Sequence, residues 1–235
     1  MAQTKIVGPM GNEMEVDKTF LAGRIAMRPL EYASKGRVLG HYATAQRSGE
    51  LAATIGALGH LASIRWANDN AFCVLMRIKA GYSVSAAITA AVEMNIRAII
   101  VRGFTVDFTT AATACNMAAI SDTNKMRKTM GTSLMGTAGP RISTTAVQSG
   151  QTLTADANPF AMAVWDNNNI ITGTVTQPVG IGFPTQTLYE CTSPYQHPVV
   201  LSQYEGVVLQ PITAGPGTGT YALYTQWEWS EVEVF

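Results

Sequence analysis

Residues 72–84 read Phe72-Cys-Val-Leu-Met-Arg-Ile-Lys-Ala-Gly-Tyr-Ser-Val84. Phe72, Val74, Met76, Ile78, Ala80, Tyr82 and Val84 alternate with Cys73, Leu75, Arg77, Lys79, Gly81 and Ser83. A period of two sustained over this length predicts a long strand with one buried face. Arg77 and Lys79 then lie together on the wetter face.

The same pattern recurs outward from this stretch. Met94, Ile96, Ala98 and Ile100 share one parity, continued by Phe104, Val106 and Phe108. Arg102 falls on the apolar parity beside Gly103, which predicts a bulge or a sheet margin there. Pro198–Leu201 and Val207–Ile212 read as short strands joined by Gln203-Tyr-Glu-Gly206. Near the C-terminus, Tyr221, Leu223, Trp227 and Trp229 share a face, and the parity flips to Val232 and Val234. A bulge or strand end is expected near Glu231. The stretch 109–120 fits a short helix or a loop. About eight to ten short strands with no long helical pattern predict an all-β, antiparallel β-sandwich, and the wide loops favour a jelly-roll-like form. Residues 1–50 hold no period, and Gly8-Pro9, Pro29 and Gly36 interrupt them. They fit a mobile tail or an extended arm that orders on a partner. The expected division is an irregular N-terminal arm, 1–62, and a β-sandwich domain, 63–235.

The zero net charge hides a split. All 16 basic residues lie in 1–141 and none follows Arg141, while the later residues keep their share of the 16 acids. Such a split suits attraction between copies or with neighbours. It also leaves no Lys or Arg after residue 141 to hold a phosphate or carboxylate. Charged residues make up 14% against about 25% on average, so part of the surface is expected to be hidden against partners. The three cysteines, Cys73, Cys115 and Cys191, have no metal-like spacing. They read as reduced thiols in a protein assembled in a cytoplasm, with Cys73 a small buried hydrophobe. No signal peptide or membrane span is expected.

Catalytic signatures are weak. His41, His60 and His197 sit in unrelated contexts, and neither a zinc motif nor a nucleophile elbow occurs. Gly215-Pro-Gly-Thr-Gly219 lacks the lysine of a phosphate loop and leads into a strand. No catalytic residue, cofactor or metal ligand is assigned. Glu231 and Glu233 share a strand parity with Glu228 nearby, a spacing open to a carboxylate hydrolase. The simpler reading is a charged rim that blunts a sheet edge. Trp227, Trp229 and Tyr221 fit a sugar-stacking platform, but such a stripe more often fills a core or a subunit interface. Lys125, Arg127 and Lys128 form the only tight basic cluster, too small a footprint for nucleic acid and better suited to a turn or an acidic neighbour. Lys125, Arg127, Lys128, Trp227 and Trp229 are the interface candidates.

Four passages carry a resemblance. They are Ile64-Arg-Trp-Ala-Asn-Asp-Asn-Ala-Phe-Cys-Val-Leu-Met-Arg-Ile78, Lys125-Met-Arg-Lys-Thr-Met-Gly-Thr-Ser-Leu134, His197-Pro-Val-Val-Leu-Ser-Gln-Tyr-Glu-Gly206 and Trp227-Glu-Trp-Ser-Glu-Val232. Together they resemble uncharacterised virion proteins of tailed bacteriophages. Lys128 stands where that group often has Arg, and Tyr204 where it often has Asn. The resemblance implies a structural virion component without an active site, a capsid decoration or minor capsid protein assembled in the host cytoplasm. Its expected partners are the major capsid protein or other virion proteins and further copies of itself, with a trimer expected. A tail, neck or fibre component is the alternative within the particle. A carbohydrate-binding receptor module is the alternative of another class.

Overall fold

The computed structural model describes residues 38–52, 55–86, 88, 93–114, 131–135, 139–165, 184–191, 197–215 and 217–233, together with three short strands nearer the N-terminus. Those three, β1 (Ile6–Val7), β2 (Glu13–Val16) and β3 (Gly23–Arg24), form a small antiparallel sheet. The remaining strands build two antiparallel sheets that pack face to face, a β-sandwich with no helix among the described residues.

The first large sheet is centred on β16 (Thr220–Val232), which lies between β7 (Phe72–Ala86) and β4 (Val38–Arg47). β13 (Gln186–Glu190) and β14 (Val199–Leu201) extend it beyond β7, and β5 (Leu51–Ala52) pairs with the start of β16. The second large sheet runs from β8 (Met94–Arg102) through β15 (Gly206–Gln210), β6 (Ala62–Arg65) and β10 (Arg141–Ser143) to β9 (Ala112–Ala114). β11 (Thr154–Ala155) and β12 (Ala161–Trp165) pair in succession along the outer side of β8. We call these the β16 sheet and the β8 sheet. The chain changes sheet between β6, β7 and β8, and again between β14, β15 and β16. Such crossings distinguish this sandwich from a meander.

The expected boundary at residue 63 moves. β4 pairs with β16 from Tyr224↔Arg47 to Val232↔Val38. Residues 38–52 therefore belong to the sandwich, although their scattered glycines and charges obscure the period. The 109–120 stretch supplies the short strand β9, and its later residues lie outside the described ones.

The long alternation at 72–84 also needs correction. Opposite Glu228 and Trp229 of β16 stand Arg77 and Leu75, so Met76 is an extra, bulged residue. The bulge reverses the side-chain parity. Cys73 and Leu75 face the core on one side of it, and Ile78, Ala80 and Tyr82 on the other. The expected bulge near Glu231 is present, as a register shift between Glu231 and Val232 against β4. β8 ends at Arg102, as expected, and Gly103 follows in the left-handed region at φ 71°.

All four tryptophans are buried between the sheets. The main core joins Trp66, Trp165, Trp227 and Trp229 to Leu51, Leu61, Ile64, Leu75, Ile78 and Leu209. Tyr82 meets Trp165 and Tyr221 edge-on at 5.0 and 5.4 Å, and Tyr42 stacks on Trp229 at 5.7 Å. A smaller cluster, Ile99, Val101, Val208, Phe104 and Phe108, covers the other face of the β8 sheet, where the 103–111 loop folds back over it.

Candidate functional site

Two buried polar constellations hold loops against the sandwich. The first is built on Glu231. Its parity on β16 is that of Trp227 and Trp229, so the strand carries its carboxylate inward. The residue is fully buried. Ser133 Oγ donates to Oε1 at 2.5 Å, the Leu134 backbone N–H to Oε2 at 2.8 Å, and Trp229 Nε1 to Oε1 at 3.1 Å. Tyr42 Oη donates to the Gly131 carbonyl at 2.9 Å, and Met135 is itself buried. Residues 131–135 are thereby fastened beside β16. Burial raises the pKa of Glu231, an effect only partly offset by the bonds from Leu134, Ser133 and Trp229. Burial and then the Glu231 charge push the Tyr42 phenol and the Cys73 thiol upward as well.

The second is built on Asp107. Arg65 Nε and Nη2 donate to its two carboxylate oxygens at 2.6 and 3.1 Å, the bidentate fork that a guanidinium favours. Arg65 Nη1 donates to the Thr105 carbonyl at 3.0 Å, and Arg141 Nη1 to the Phe108 carbonyl at 3.0 Å. The 103–111 loop is thus tied to β6 and β10 over the small second cluster.

The interface candidates fare differently. Lys125, Arg127 and Lys128 lie outside the described residues. Trp227 and Trp229 are each 0% exposed, so of the two places expected for them they occupy the core. They offer no stacking platform to a sugar. The rim reading of the terminal glutamates is overturned for Glu231, because β16 is a central strand and Glu231 points into the core. Glu228 lies on the opposite face, paired with Arg77 at 2.5 Å and His41 at 3.0 Å. Glu228 and Glu231 therefore share no cleft. No sequence signal points to Ser133 and Leu134 as partners of Glu231, although the i, i+2, i+4 series Trp227, Trp229, Glu231 places the carboxylate on the face of the two indoles.

Open surface chemistry is sparse. A shallow hollow of about 390 Å³ is lined by Gln46, Arg47, Thr185, Tyr224 and Gln226, with Arg47 Nε donating to Tyr224 Oη at 3.1 Å. Another, of about 330 Å³, is lined by Leu188, Tyr189, Glu190, Cys191 and His197. Among the described residues no three His, Cys, Asp or Glu side chains gather as a metal site, and no helix is long and apolar enough to cross a membrane. Comparison with protein-family models, with curated proteins and with solved structures found no match.

Proposed function

We propose that this chain is a structural component of a tailed-phage particle, a capsid decoration or minor capsid protein that acts by burying surface against neighbouring virion proteins and further copies of itself. One observation carries the reading. The four passages that resemble phage virion proteins meet pairwise in the fold. Ile64-Arg65-Trp66 pairs with Tyr204-Glu205-Gly206: Gly206 stands opposite Arg65, Trp66 N–H donates to the Glu205 carbonyl, and Tyr204 N–H donates to the Trp66 carbonyl. A Cβ at Gly206 would collide with the Ile64 carbonyl and lie 2.8 Å from the Phe104 ring. Gly131-Thr-Ser-Leu134 meets Trp229-Ser-Glu231 through the carboxylate clasp. The resemblance thus falls on residues that fix a framework, which is how a likeness among assembly proteins is expected to read.

A particle protein of this kind needs no single strong site. Interfaces of about 1,600 Å², repeated by symmetry, hold each copy through summed weak contacts. The test is cryo-electron microscopy of intact particles with this chain traced in the density. Density repeated over the head lattice supports decoration. Density confined to a tail or neck position moves the chain to the attachment machinery. A particle lacking the chain overturns the reading.

A further inference from the structure

We propose that β12 is a homotypic contact, through which a second copy of this chain extends the β8 sheet across a twofold axis. β12 pairs with β8 on one side, and among the described residues no strand pairs with its other side. Exposed edges are templates for pairing and are normally blunted by charge, proline, bulges or shortness. The other sheet margins show such devices. β13 has a register shift at Leu188 and carries Glu190 against Arg77, β4 has a register shift beside Gly40 and ends at Arg47, and β9 is three residues long. β12 reads Ala-Met-Ala-Val-Trp, with no charge, proline or register shift. It is apolar on both faces. Ala163 and Trp165 enter the core, whereas Met162 and Val164 are 58% and 43% exposed.

The strand is also complementary to itself. The Val164 carbonyl takes the Gln186 side-chain amide at 3.1 Å from outside the ladder. Residue 164, and by the two-residue repeat residue 162, therefore aims its backbone groups away from β8. An antiparallel pair centred on Ala163 sets Met162 opposite the partner's Val164, and the same contact recurs by symmetry. Both are then hydrogen-bonded pairs with apolar side chains touching on the outer face. Gln186 would give up its bond to the Val164 carbonyl. One strand pair is small beside a standard interface, so the dimer is weak in solution and strengthened by repetition on a larger assembly.

This names a surface for the self-association proposed above, and the purified chain tests it apart from the virion reading. Sedimentation velocity of the full chain up to about 0.5 mM should show a reversible dimer. Its stability should change little between about 50 and 500 mM salt, unlike an assembly driven by the charge split. Val164→Lys should raise the dissociation constant at least about tenfold and leave the thermal midpoint unchanged, because the side chain is already half in water. In a background with Cys115→Ser and Cys191→Ser, Met162→Cys with Val164→Cys should oxidise to a covalent dimer. A chain that stays monomeric overturns the proposal. So does an oligomer that Val164→Lys leaves intact or that fails to cross-link.

Discussion

Asp107 and Glu231 are both buried carboxylates that hold a loop against a sheet, and they do it by different means. Asp107 meets a bidentate guanidinium from Arg65. Glu231 meets only neutral donors: a hydroxyl, a backbone amide and an indole. The difference lies in where each side chain points, since Glu228 on the same β16 still reaches Arg77 of β7, whereas Glu231 is turned inward among Ser133, Leu134 and Trp229. Where a base was to hand, the fold satisfies a buried acid with charge. Where none was, it uses dipoles, and the cost of burial is only partly returned.

The largest expected effect tests the charged member. Asp107→Ala leaves the part-buried Arg65 guanidinium with only its bond to the Thr105 carbonyl and should cost about 3 kcal/mol in urea unfolding. It should also speed amide exchange across 104–110 ahead of global unfolding. Ser133→Ala deprives Glu231 of its shortest bond and should cost about 2 kcal/mol at pH 7, with a further rise in the glutamate's pKa visible by carboxyl NMR.

Glu231→Gln separates the two sites by pH. The folded protein binds this proton more readily than the unfolded chain, because the folded pKa lies above the ordinary 4.5. Stability from this group is therefore greatest below 4.5 and declines as pH rises through the raised value. Wild-type stability should include this gain on acidification, and the Gln variant should lack it, while costing about 1.5 kcal/mol at pH 7 because its amide nitrogen must face one of the donors. Equal pH slopes in the two proteins would refute the linkage. The smallest effect concerns the adjacent indoles. Trp227 Nε1 is buried without an acceptor, whereas Trp229 Nε1 serves Glu231. Trp227→Phe should cost less than Trp229→Phe by about 1 kcal/mol in matched thermal melts, since only the second leaves an acceptor short of a donor.

Alternation made the sandwich legible, because β8 and β16 are each buried on a face that repeats every two residues. It failed where the repeat was interrupted. Met76 is one extra residue in β7, and nothing local marks it: the alternation of apolar side chains runs through the bulge unbroken, since Met76 is apolar too. β4 escaped because Gly40, Ala43 and Ala45 are small and His41 and Arg47 are polar, so the pattern lacks contrast. Glu231 reads as a rim from sequence because charge in a run of glutamates usually marks solvent. Its depth depends on Ser133 and Leu134, nearly a hundred residues away, and no spacing rule encodes that. β14 and β15 are legible as strands, but no local signal tells that they lie in different sheets. Only tertiary pairing decides that.

The central place of β16 has a consequence in time. Among the described residues β4 and β7 have no direct pairing and are joined only through residues 220–232. During synthesis at about 5–20 residues per second, β7 waits roughly ten seconds for the strand that pairs along its whole length. Until then the longest described strand has an open edge along its whole length. The nascent protein is most exposed to mispairing just before residues 220–232 emerge, and holding β7 apart from its neighbours on the ribosome is the step at which a chaperone would matter most.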